Sequence, residues 1–203
     1  MSRLCKAPVI LASASRTRAK LLEDAGLAIE IVPASVDEAT IRESMAAEHA
    51  SAAEIARALA ELKALRISRQ RPGAFIIGAD QILVCNGVLF EKPAHRDAAE
   101  TQLRALSGAS HELISAVCVA RDDGVIWHHT DTAQLTMRVL SEGFIKAYLD
   151  AAGDEILANV GAYALEGLGA QLFARVRGDY FTILGLPMLP LLDFLREHNI
   201  VPR

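Results

Sequence analysis

Residues 74–93 read AFIIGADQILVCNGVLFEKP. Ala74-Phe75-Ile76-Ile77 is a continuous apolar run, the pattern of a strand covered on both faces. The run gives way at Asp80-Gln81, and apolar residues resume at Ile82–Cys85. Asn86-Gly87 then supplies the pair that a two-residue hairpin turn selects, because both of its central positions need positive φ. The pattern predicts a buried strand ending at Asp80, followed by a hairpin that pairs Ile82–Cys85 with Val88–Phe90. A buried strand beside an antiparallel hairpin implies a mixed sheet.

The flanking sequence supplies the rest of an α/β pattern. Residues 8–12 form a short apolar strand, followed by Ser13, Ser15 and the basic segment Arg16-Thr17-Arg18-Ala19-Lys20. Leu21, Leu22 and Ala25 continue a helical face that Gly26 closes. Ile29–Val32 reads as a second strand, and residues 39–69 are Ala-rich and helical, with Ser51 as an internal N-cap ahead of Glu54. Arg71-Pro72-Gly73 breaks the helical pattern before Ala74. Further along, the pattern predicts a helix over 97–106, strands over 111–120 and 125–139 joined at Asp122-Asp123-Gly124, and a helix from Ser141 to Ala152. A strand over 172–176 and a helix over 187–198 complete it. No internal repeat, low-complexity tract or free linker interrupts the chain.

The chain has 203 residues, 52% hydrophobic and 23% charged, with a formal net charge of −4. This suits one domain over residues 1–203, or two closely packed lobes. A mildly acidic balance lacks the footprint of a nucleic-acid binder, so no polymer partner is expected. Apolar runs fall short of the roughly 20 residues a bilayer span needs, which argues against a membrane partner. Residues 1–4 lead into a strand with no signal-peptide core, which predicts a cytosolic protein. Cys5, Cys85 and Cys118 are scattered, as expected of reduced core thiols.

Two constellations carry chemistry. Ser13-Ala14-Ser15 opens a basic helix, so free backbone N–H groups and the positive end of a dipole lie near Arg18. This can be an anion site, or Ser15 can simply cap the helix while the arginines stay solvated. Neither a P-loop nor a dinucleotide fingerprint occurs. Asp80 sits where the apolar run ends, and an unpaired buried carboxylate is costly, so its presence points to a ligand or to an Asx-turn into the hairpin. Glu38, in the loop after the second strand, is a candidate to meet it. Two carboxylates and a basic cluster are the parts of Mg²⁺-assisted phosphoryl chemistry. Lys63 and Lys92 add positive charge, though either alone reads as a surface lysine. His128-His129 lies on a strand with the two rings on opposite faces, which argues against a shared metal.

These residues carry a resemblance. LASASRTRAKLLEDAGL (11–27), VDEATIR (36–42), LKALRIS (62–68) and IIGADQILVCNGVLFEKP (76–93) resemble, in order, motifs of the Maf family of nucleoside triphosphate pyrophosphatases. AAETQLRALSGASHE (98–112), VGAYALEGLGAQLF (160–173) and GDYFTILGLPMLPLLDFL (178–195) continue the match. The resemblance implies an α/β fold with a mixed, twisted central sheet flanked by helices and a cleft between two lobes. It implies hydrolysis of a nucleoside triphosphate to monophosphate and pyrophosphate, with Mg²⁺, Mn²⁺ or Co²⁺ as cofactor.

Residue by residue, the resemblance makes Asp80 the general base and a metal ligand, and Glu38 the other metal ligand. It makes Ser13, Ser15, Arg18, Lys63 and Lys92 phosphate-binding groups. Three positions depart from the pattern: Arg16-Thr17 replaces Pro-Arg, Leu62 stands where relatives carry Glu, and Glu91 replaces a Gly. Asp80-Gln81 and Tyr163-Ala164-Leu165-Glu166-Gly167 resemble the 7-methyl-GTP branch, which makes Gln81, Glu166 and Thr17 substrate contacts. Thr17 departs from that branch's aromatic residue. The family's historical link to septum formation leaves a second reading, a nucleotide-binding regulator of cell division without turnover. A homodimer is left open.

Overall fold

The computed structural model describes residues 9–202. The expected start of a strand at residues 1–4, Cys5 and Pro8 lie outside the described residues. The chain divides into two compact units. Of the described residues, the first contains 9–81, 115–131 and 180–202, and the second contains 82–114 and 132–179.

In the first unit, β1 (Val9–Leu11) lies parallel to both β2 (Ile29–Ile31) and β3 (Phe75–Cys85), with Val9 opposite Ile29 on one side and Phe75 on the other. Helix α1 (Arg16–Asp24) joins β1 to β2 and ends where Gly26 takes φ +83°. The helical region after β2 is two helices, α2 (Glu38–Ala47) and α3 (Ala52–Ser68). The break falls where Ser51 and Glu54 form a reciprocal capping box, which satisfies two of the donors a helix start leaves open. The core joins β1, β3 and the strand segment around Val117 and Val119 to α1 and the closing helix α7 (Met188–Glu197). Leu22, Ile77, Leu191 and Leu195 are among its fully enclosed side chains. A four-residue helix, α6 (Tyr180–Ile183), precedes α7 and was not expected from the sequence.

The second unit begins with the last residues of β3, which pair antiparallel with β4 (Val88–Phe90) through Asn86 at φ +52° and Gly87 at φ +77°. Helices α4 (Arg96–Leu106) and α5 (Glu142–Ala152) pack on each other, and α5 is capped by Ser141 as predicted. Strands β5 (Ser110–Arg121) and β6 (Gly124–Met137) pass through both units. Their link is only Asp122-Asp123, both at positive φ, and such a short link joins antiparallel strands. β7 (Phe173–Arg177) pairs antiparallel with β6. Three short 3₁₀ segments between α5 and β7 were absent from the expected pattern.

The strand order is β2-β1-β3-β5-β6-β7, with β4 on β3; the sheet is mixed, as the sequence implied, and has seven strands. One expectation needs correction. Asp80 does not end a strand; it is the sixth residue of the eleven in β3. The hydrophobic pattern breaks there, but the backbone continues extended into the hairpin.

Candidate active site

The site is built on the first unit around Asp80, whose side chain is 5% exposed. Its Oδ1 accepts a hydrogen bond from Lys63 Nζ at 2.7 Å. Lys63 Nζ also lies 2.8 Å from Glu38 Oε1, so one ammonium bridges the two carboxylates. Lys63 can do this because α3 presses closely on β3. Gly78 makes the approach possible: a Cβ there would stand 2.1 Å from the carbonyl oxygen of Ala60 and 2.9 Å from Ala64 Cβ. Of the two phosphate-binding lysines inferred from the motifs, Lys63 is therefore no surface lysine; it is buried.

Glu38 enters the cluster from the first turn of α2, which Asp37 caps through Thr40 N. Four residues on, Arg42 Nη2 donates to Glu38 Oε2 at 3.0 Å and lies 3.6 Å from Asp80 Oδ2. The sequence reading assigned Arg42 no role, although its i,i+4 spacing from Glu38 was a usable signal. Asp80 Oδ2 is buried and accepts no hydrogen bond. A carboxylate oxygen kept out of water without a donor is expensive, which marks a place prepared for a ligand or a proton.

Arg18 is also buried, in contrast to the solvated arginine that the capping alternative supposed. Its Nε donates to the carbonyl of Gly185 at 2.8 Å, and its Nη1 to the carbonyl of Ala79 at 2.9 Å and to Ser13 Oγ at 3.2 Å. Two of the three guanidinium nitrogens are thus engaged in tying β3 to the turn after α6. Burial lowers its pKa, against the opposing fields of Asp80 and Glu38. Ser15 does cap α1, accepting from Arg18 N, and Ser13 Oγ accepts from Ser15 N. Thr17 is half-buried and Arg16 exposed.

Gln81, next along β3, donates through Nε2 to the carbonyls of Thr182 and Ile183 and to Ser115 Oγ, at 3.0–3.1 Å. Two of these partners can only accept, so the amide orientation is determined and its oxygen faces elsewhere. Ser115 and Thr182, unassigned from the sequence, are the buried supports of this amide; Ser115 Oγ donates to the Thr182 carbonyl at 2.8 Å and Thr182 Oγ1 to Asp131 at 2.7 Å.

The structure therefore brings together Ser13, Ser15, Arg18, Glu38, Lys63, Asp80 and Gln81, and adds Arg42. Lys92 and Glu166 belong to the second unit. Lys92 is exposed in the segment after β4, and Glu166 is exposed in the turn that follows Tyr163. Chemically, the cluster sets three buried or half-buried cations against two carboxylates. Such a concentration of charge in a low-dielectric setting contributes little to stability and is typical of sites that bind or react.

The family model for Maf-like protein matches residues 8–198. A nucleoside triphosphate pyrophosphatase of Paramagnetospirillum magneticum is 55% identical over 194 residues, covering 95% of this chain and 100% of the relative. One of Granulibacter bethesdensis is 50% identical over 191 residues, covering 94% and 97%. A 7-methyl-GTP pyrophosphatase of Rhizobium meliloti is 49% identical over 189 residues, covering 93% and 95%. With residues of the motifs at 11–27, 36–42, 62–68 and 76–93 gathered around Asp80 and the match running nearly end to end, the chain belongs to the Maf-like protein family.

Proposed function

We propose that this protein hydrolyses nucleoside triphosphates between the α- and β-phosphates, releasing a monophosphate and pyrophosphate. The observation that carries the proposal is Asp80: a buried carboxylate on a rigid strand, with one oxygen held by Lys63 and the other without a hydrogen bond. In the proposed reaction Oδ2 takes a proton from water as the water oxygen adds to the α-phosphorus. The bond from that phosphorus to the bridging oxygen breaks, and pyrophosphate leaves. Lys63 and the remaining nitrogen of Arg18 offset the phosphate charge, and holding the base on β3 limits its wandering. The names of the relatives support this reaction class.

The residues fit a divalent cation. Glu38 and Asp80 present hard carboxylate oxygens bridged by one ammonium, and Oδ2 accepts no hydrogen bond, so it keeps one lone pair for a cation and one for the water proton. Among the described residues no group of three or more His, Cys, Asp or Glu converges, so these two carboxylates would share the ion with substrate phosphates, as Mg²⁺ sites commonly do. When bound, the ion supplies phosphate neutralisation and polarisation at the α-phosphorus.

The base preference belongs to the same proposal. The oxygen of Gln81, whose Nε2 is engaged by the Thr182 and Ile183 carbonyls and Ser115, is the proposed reader of base donors such as guanine offers. One relative's name points to 7-methyl-GTP. Thr17, however, gives no aromatic face, and stacking on one is worth roughly 1–3 kcal/mol per base. A purine bias with loose selectivity follows, together with a gain for 7-methyl-GTP on Thr17→Trp. Pyrophosphate release from 7-methyl-GTP, GTP, dTTP and UTP, each with Mg²⁺ or Mn²⁺ and with excess EDTA, tests all three parts. Higher kcat/KM for dTTP and UTP would overturn the base preference alone. Full activity in EDTA would remove the metal, and no pyrophosphate from any nucleotide would remove the reaction.

A further inference from the structure

Lys63 and Arg42 both contact the Glu38–Asp80 pair, and they are themselves held very differently. Lys63 projects from α3, a helix that buries eight of its own residues, and its side chain is 7% exposed. Arg42 projects from α2, which buries none, and its side chain is 19% exposed. Lys63 approaches Asp80 to 2.7 Å, whereas Arg42 stands 3.6 Å away, beyond hydrogen-bond range, and is bonded to Glu38. One cation is thus fixed by the core and the other rides on a surface helix.

We propose that Arg42 is a positioning residue that acts as a displaceable counter-ion: it holds the two carboxylates in register and withdraws when a divalent cation takes them. The charges decide the order of events. Arg42 and Lys63 already lie against Glu38 and Asp80, so a divalent ion arriving alone meets opposing positive charge at the carboxylates. An ion arriving with a triphosphate does not. Arg42 therefore suppresses metal binding in the absence of nucleotide and couples occupancy of the carboxylates to substrate. Lys63 cannot play this part, because withdrawing it would leave a buried ammonium without its partners.

The inference rests on the carboxylates being the metal ligands, but its test is independent of turnover. Mn²⁺ is titrated into nucleotide-free protein and the free ion is counted by electron paramagnetic resonance. Removing a positive charge within a few ångströms of a divalent site predicts that Arg42→Met binds Mn²⁺ about tenfold more tightly than the parent protein. Arg42→Gln behaves the same way, and Arg42→Lys, which keeps the charge, stays within about twofold of the parent. A residue that only braces α2 would have the opposite effect, since loosening Glu38 weakens the site. Equal or weaker Mn²⁺ binding by Arg42→Met and Arg42→Gln, or no binding by any of the proteins, overturns the proposal. So does failure of both variants to fold, because a displaceable group is not required for folding. A protein that shows the tightening yet releases no pyrophosphate loses the proposed reaction and keeps the counter-ion.

Discussion

Asp80→Asn tests the central residue most directly. The amide keeps the size and can still accept a hydrogen bond from Lys63, but it cannot take a proton from water. Turnover should fall by about 10²–10⁴ with folding and nucleotide binding retained. Wild-type kcat in the variant would end the base assignment. A second residue speaks to stability. His111 is buried, its Nε2 lies 2.7 Å from Tyr163 Oη, and its Nδ1 has no partner. Burial lowers its pKa to about 4 from an ordinary 6.5. Between these values the unfolded chain binds a proton that the folded chain refuses. Stability is therefore full above about pH 6.5 and declines as the pH falls through 4, by up to about 3 kcal/mol. Urea unfolding at pH 7 and pH 4.5 should show this loss in the parent and a smaller one in His111→Gln. Equal losses would assign the acid sensitivity to other groups. The sequence displayed Asp80, Glu38 and Lys63 as candidates, but His111 carried no mark, since nothing adjacent in the chain predicts which histidine is enclosed.

At the scale of elements, the contact between α3 and β3 sets the site. Gly78 admits the backbone of α3 to a distance that no side chain permits, and the lysine one turn beyond Ala60 reaches Asp80 as a result. Gly78→Ala should cost about 3 kcal/mol, the upper end for overpacking, because the obstructing atom is a backbone carbonyl that cannot turn aside. Chemical denaturation measures it, and a loss below about 0.5 kcal/mol would show that α3 shifts freely. Elements governed by local signals were legible. Ser141 and Ser51 cap their helices, and Asn86-Gly87 and Asp122-Asp123 turn their hairpins with positive φ. The continuity of β3 was not legible. Hydrophobic alternation records which faces meet apolar neighbours, and Asp80 sits inside a strand because Lys63, 17 residues earlier, supplies its partner. The four-residue α6 is too short to show a period at all.

For the whole molecule, Cys85 and Cys118 serve as internal reporters. Both are buried free thiols, Cys85 in the second unit and Cys118 in the first. Burial raises the pKa of Cys85 and pushes that of Cys118 up to about 12, so neither offers a thiolate near neutral pH. Iodoacetamide should leave both unmodified in native protein. Because β3, β5 and β6 run through both units, both should become reactive at the same urea concentration, as peptide mapping by mass spectrometry would show. Earlier labelling of Cys85 would mean that the second unit opens by itself. The sequence by itself determined the alternation of helices and strands, the caps and turns, and the candidate acidic and basic residues. Short-range sterics and side-chain-to-backbone bonds act within a few residues, so a linear reading can see them. Only the tertiary structure decided how the charges are shared. It joined Arg18 to Gly185 and Gln81 to Thr182, residues 167 and 101 positions apart, and placed Arg42 with Lys63 on one pair of carboxylates. Charge pairing is set by which elements pack together, and a buried charge takes its meaning from the partner that packing delivers.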